Sequence, residues 1–186
     1  MNLVFLLEEP STREMLKELL PRFLPEIIMV RYIVFEGKDD LEKSLVRKVR
    51  GWQTPNTVFI VLRDQDAGDC RAIKQTLAAK CRDAGRPETV VRIACRELES
   101  WYFGDLAAVE RDLNTHNLVR YGNRRQYRAP DEIRFPYREL SRITRNKYQK
   151  VSGSRDIGPE LSPDTNKSRS FQVFIEGVQR AIRYPP

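Results

Sequence analysis

Apolar and polar positions alternate in blocks along the chain. NLVFLLEE (2–9) is a continuous apolar run stopped by two acids, which predicts a buried strand. PSTREMLKELL (10–20) then puts Met15, Leu16, Leu19 and Leu20 on one helical stripe, with Ser11 and Glu14 at the spacing of a capping box. EIIMVRYIVFEG (26–37), rich in branched and aromatic residues, predicts a second strand, and DDLEKSLVRKVRGW (39–52) a second helix through Leu41, Leu45, Val46 and Val49. The unit repeats: NTVFIVLRD (56–64) is the third strand, DCRAIKQTLAAKCRDAG (69–85) a helix capped by Asp69 and stopped at Gly85, and ETVVRIACRE (88–97) the fourth strand. A further helix begins near Leu98. GSRDIGPELSPDTNKS (153–168) predicts a polar loop before a last amphipathic helix, SFQVFIEGVQRAI (170–182).

Strands separated by helices of this length pair in parallel. The pattern therefore predicts an α/β fold, a mostly parallel sheet with helices on both faces, taking ligands at the carboxyl ends of its strands. Its core spans residues 1–115, with a basic C-terminal extension, 116–186, packed on it as part of one domain. With 186 residues, 40% hydrophobic and 32% charged, the chain suits one soluble globular domain. The N-terminus carries no basic leader and no segment approaches the roughly 20 apolar residues that cross a bilayer, which predicts a cytoplasmic protein without membrane contact. Cys70, Cys81 and Cys95 are odd in number and lack C-x-x-C spacing, so they are expected to be buried, reduced thiols. The lone His116 is expected in a surface loop.

Charge is unevenly spread. Residues 1–110 hold 17 Lys and Arg against 18 Asp and Glu, while residues 111–186 hold 16 against 8, so all of the net +7 arises in the second part. There Arg120, Arg124, Arg125, Arg128, Arg138, Arg142, Arg145 and Lys147 are interleaved with Tyr121, Tyr127, Phe135, Tyr137 and Tyr148. Cations that neutralise phosphates beside rings that stack on unpaired bases resemble a nucleic-acid footprint. A solvated basic face, or a surface for an acidic protein, would read the same way.

The acids collect where the predicted strands end: Glu8 and Glu9 after the first, Asp64 and Asp66 after the third, Glu97 and Glu99 after the fourth. In an extended chain residues two apart project to one side, so Asp64 and Asp66 are expected to share a cation, with Gln65 turned away. Hard oxygen ligands of this kind suit Mg²⁺ or Mn²⁺.

LLEEPSTREMLKELL, the later D-x-D and ACRELESWYFGD together resemble the TOPRIM fold, a Rossmann-like fold shared by topoisomerases, bacterial primases and the OLD-family nucleases. More closely, the chain resembles small bacterial TOPRIM-like proteins often encoded beside an ABC/AAA-type ATPase in phage-defence settings. That resemblance extends through KYQKVSGS and NKSRSFQVF, and it implies a metal-dependent nuclease of DNA or RNA with an ATPase partner. It puts the first-strand glutamate at Glu8, the paired aspartates at Asp64 and Asp66, and the third acid at Glu97 or Glu99. Lys150 would contact phosphate. Two departures stand out: Glu9 where such proteins usually carry glycine, and Thr12 where OLD-type nucleases carry an acid. These leave open a non-catalytic TOPRIM-like subunit that binds nucleic acid or the ATPase.

Overall fold

In the computed structural model, which describes residues 1–184, the apolar runs become one all-parallel sheet. Its strands are β1 (Asn2–Leu7), β2 (Met29–Val34), β3 (Thr57–Asp64) and β4 (Val90–Ala94), in the order β2-β1-β3-β4. Every residue of β1 and β3 is buried, as a parallel sheet covered on both faces requires. On one face Val4, Leu6, Phe59 and Val61 meet α2 (Lys38–Arg50) and α3 (Cys70–Asp83). On the other, Leu3, Phe5, Ile60 and Leu62 meet α1 (Pro10–Leu19) and the C-terminal helices. The chain leaves β1 for β2 on one side and then crosses to β3 on the other, which puts the topological switch point between β1 and β3.

The C-terminal region carries α4 (Glu99–Phe103), α5 (Leu106–Asp112), α6 (Pro136–Ile143), α7 (Lys150–Ile157) and α8 (Arg169–Arg183). Its last helix packs directly on the sheet. Phe174 of α8 lies 6.4 Å from Phe5 of β1 and 5.1 Å from Trp101, ring to ring. Beside these rings Asp131 accepts hydrogen bonds from Ser168 Oγ (2.6 Å) and from Ser170 N (2.7 Å), fixing the start of α8.

Two local expectations change. Pro10 occupies the first turn of α1, so Glu9 is its cap residue; Ser11 donates to Glu9 Oε2 instead of capping, and the expected capping box does not form. Glu14 is buried against Arg13, Lys17 and Arg155. Residues 153–160 are not loop: α7 runs to Ile157 and a 3₁₀ turn, Gly158–Glu160, follows. The glycines that suggest a loop are there for close packing. A Cβ on Gly153 would meet the Tyr148 ring at 2.6 Å, and one on Gly158 would meet Met15 O at 2.8 Å, where α7 lies on α1. Gly153→Ala is therefore expected to lower stability by about 1–3 kcal/mol in urea denaturation, the usual cost of overpacking. Stability unchanged would show that Tyr148 moves freely.

Asp69 caps α3, accepting from Ala72 N at 2.7 Å, and His116 is exposed, both as expected. The cysteines are free, but only Cys81 is fully buried. Among the described residues no helix is long and apolar enough to cross a membrane.

Candidate carboxylate site

Parallel strands end on one edge of their sheet, so residues that close β1, β3 and β4 gather there whatever their distance in sequence. Glu8 follows β1, Asp64 closes β3, and Glu99 opens α4 after the turn that leaves β4; all three are buried. Glu8 Oε2 accepts from the backbone N–H of Asp64 at 3.1 Å, bridging the switch point. Glu99 Oε1 accepts from Tyr148 OH at 2.8 Å, while its Oε2 has no hydrogen-bond partner among the described residues. Glu97 is occupied elsewhere, accepting from Tyr137 N (2.7 Å) at the start of α6. Of the two candidates for the third acid, Glu99 is the buried one, and its charge bears on Asp64.

Asp64 and Asp66 do not point together. The strand ends at Asp64, and Asp66 adopts a left-handed backbone (φ 54°), so the two-residue period that would align them is broken. Asp64 shares the parity of Ile60 and Leu62 and faces Glu99, Glu9 and Lys150 on the α1 and α7 side. Asp66 turns to Lys38 of α2 at 3.1 Å. Arg63, of opposite parity to Asp64, lies buried between Glu42 of α2 and Glu8, 3.8 Å from the latter. The acids thus form two groups on either side of the sheet plane, with Glu8 between them. Accordingly, no three His, Cys, Asp or Glu side chains among the described residues are grouped to hold an ion as they stand.

The electrostatics of the first group are one-sided. Burial, then the Glu99, Glu9 and Glu8 carboxylates, push Asp64 well above the ordinary carboxylate range, against the opposing pull of Lys150. Burial also raises Glu99 to about 7, opposed by Lys150 and Tyr148. Glu8 rises to about 6 through burial, offset in part by the Asp64 N–H. Lys150, the first residue of α7, pairs with Glu9 at 2.6 Å. Burial works against its charge, but Glu9, Glu99 and Asp64 outweigh that and hold it above the usual lysine range. The donor chemistry fits a hard divalent cation: oxygen ligands, an unpartnered buried Glu99 oxygen, and the four carboxylates of Glu8, Glu9, Asp64 and Glu99 against the two cations of Lys150 and Arg63. Closing them round one ion needs side-chain rotation, above all release of Asp66 from Lys38.

Glu9 has an extended backbone (φ −133°), so nothing at that position requires the glycine of the resembling proteins. Sequence reasoning missed Tyr148 as the partner of Glu99 and Arg63 as the neighbour of Glu8. Tyr148 reads as part of the aromatic surface, and only the fold shows that its ring is buried.

Of the expected phosphate-binding cations, Arg120, Arg124, Arg125, Arg128, Arg138, Arg142, Arg145 and Lys147 are all at least partly open to solvent, and none is buried. Arg124 lies over Tyr121 at 4.2 Å, Arg142 pairs with Glu139 at 2.8 Å, and Lys147 donates to Asn114 O. Tyr127 and Tyr148 serve the core; Phe135 and Tyr137 face solvent.

A family profile described as a domain of unknown function (DUF4276) matches residues 7–179, a span that takes in every switch-point carboxylate and Lys150. No curated protein and no solved structure matches the chain.

Proposed function

The chain belongs to the DUF4276 family, a domain of unknown function, and from that premise we propose that it is a nuclease, hydrolysing phosphodiesters of DNA or RNA with Mg²⁺ or Mn²⁺. One observation carries this reading: Glu8, Asp64 and Glu99 lie buried at the switch point of a parallel sheet, and with Glu9 they outnumber the Lys150 and Arg63 cations beside them. Buried charge of one sign destabilises a fold unless a cation joins it, and such groups cluster where chemistry is done.

Glu8, Asp64, Asp66 and Glu99 would hold the ion, which when bound supplies Lewis-acid polarisation of a phosphate. Lys150, once a phosphate draws it from Glu9, donates to a phosphoryl oxygen. Glu8, with Oε2 tied to the Asp64 N–H, keeps Oε1 to accept a proton from water. The exposed arginines neutralise the flanking backbone. The TOPRIM resemblance supports the same chemistry, together with a cytoplasmic role as effector of an ABC/AAA-type ATPase in phage defence.

The test is incubation of plasmid DNA and of cellular RNA with Mn²⁺ or Mg²⁺, with and without the ATPase. Cutting that EDTA stops is the expected result; no cutting under any of these conditions sinks the reading. A second reading, a non-catalytic subunit binding nucleic acid or the ATPase, is favoured by the pairing of Lys38 with Asp66 and of Lys150 with Glu9, which closes the cluster on itself.

Both readings use the basic face. Arg124→Ala with Arg125→Ala is expected to flatten the log–log dependence of nucleic-acid affinity on salt by about two units, one for each phosphate that is no longer neutralised. An unchanged slope would take these arginines off the nucleic acid.

A further inference from the structure

Two large rings stand in solvent beside the carboxylate site. Tyr137 is 41% exposed and Phe135 49% exposed, although the other aromatics of this region are buried or half-buried. Their position is fixed by the fold. Phe135 caps α6, whose Pro136 starts the first turn, and the Tyr137 N–H is held by Glu97 at 2.7 Å. The Tyr137 ring lies 5.8 Å from Lys150 Nζ, and that lysine in turn touches Glu9 and faces Asp64 and Glu99. On the far side Phe135 carries the Arg134 guanidinium 5.1 Å above its ring and forms one wall of an open groove of about 630 Å³, with Arg125 on its rim. Tyr137, packed edge-on against Tyr148 at 6.1 Å, therefore adjoins Lys150 and the carboxylates, and Phe135, two residues earlier, adjoins the groove.

We infer that this row receives an unpaired nucleic-acid strand, its bases stacking on Phe135 and Tyr137 while a backbone phosphate meets Lys150; single-stranded segments, not uninterrupted duplex, are the substrate class. The inference rests on the nuclease reading and narrows it. In a duplex the base faces are covered by their neighbours, so only the phosphates could reach this surface and both rings would stay wet. A single strand offers both groups together, and every base has a face to stack, so the row selects strandedness without selecting sequence. Arg134 and Arg138, exposed beside the rings, supply the charge that draws the strand in. An acidic protein would be drawn by the same charge, but the carboxylate cluster beside Lys150 would repel it.

The experiment is fluorescence anisotropy in EDTA, so that binding is read without cutting, using a mixed-sequence DNA or RNA oligonucleotide as a single strand and as a blunt-ended duplex with its complement. The single strand should bind about tenfold or more tightly than the duplex, and Phe135→Ala and Tyr137→Ala should each weaken it about tenfold while leaving the duplex unchanged. Tyr137→Phe, which keeps the ring, should bind like the unaltered protein. Both rings are half exposed, and matching thermal unfolding of the variants keeps the comparison fair. Equal affinity for the two forms, or single-strand binding that ignores loss of both rings, overturns the inference. No binding of either form does so as well. Single-strand binding with no cutting in Mn²⁺ sinks the hydrolytic reading alone and leaves this one standing.

Discussion

Asp64→Asn is expected to cut nucleic acid at a rate lower by about three orders of magnitude, the scale on which a charge that organises a phosphate-transfer site is lost. The same change should make the protein more stable. Asp64 is buried and its charge is opposed by Glu99, Glu9 and Glu8 more than Lys150 favours it, so ionising it costs the fold more than it returns. An amide of the same shape removes that repulsion, and a gain of about 1–2 kcal/mol is the scale seen when strain at a working site is relieved. For a chain of this size that is a rise of about 2–6 °C in Tm. Affinity for nucleic acid should be equal or higher, since a charge that repels phosphate has gone. Cleavage at the unaltered rate would exclude the proposed site. Lower stability would show that Asp64 has a structural partner after all.

The α/β architecture was legible in the sequence because it depends on blocks. Apolar runs such as Val58–Leu62 separated by helical stripes leave few alternatives to a covered parallel sheet, and their ends brought Glu8, Asp64 and Glu99 to one edge as expected. What was hidden depends on single backbone angles and on long-range packing. Asp66 looks aligned with Asp64 until the left-handed turn after β3 separates them. Gly153-Ser154 reads as loop because its glycine invites flexibility, yet that glycine exists so that Tyr148 can lie against it and reach Glu99. Glu97 and Glu99 are indistinguishable as letters, and only the placement of α6 engages the first of them and leaves the second facing Asp64. Lys150 stands out by resemblance alone; its pairing with Glu9 across 141 residues has no local signal.

In EDTA the protein is expected to be less stable at pH 8 than at pH 5.5, and Mn²⁺ or Mg²⁺ should restore much of the difference. The sign follows from proton binding. Glu8 and Glu99 rise from an ordinary value of 4.5 to about 6 and about 7 in the folded chain, and Asp64 is pushed up with them. Between the unfolded and folded values the native state binds more protons than the unfolded one, so stability falls as pH rises through that window. At about 1.4 kcal/mol for each pH unit that separates the folded from the unfolded value, and allowing for coupling among neighbours, the total loss is about 2–5 kcal/mol. Glu14 and Glu139, held low, act the other way only in more acid solution, which leaves the optimum near about pH 5. A divalent ion that binds only the folded, ionised cluster adds stability in proportion to the logarithm of its concentration, and protons compete with it. Its effect on Tm should therefore be large at pH 8, small at pH 5.5 and missing in Asp64→Asn. Denaturant titration at the two pH values, with and without Mn²⁺, reads all of this at once. Stability that climbs from pH 5.5 to pH 8 would show that the cluster is already neutralised from within by Lys150 and Arg63. A fall in stability with pH that answers to neither ion would keep the buried acids but remove their cation, and with it the catalytic reading.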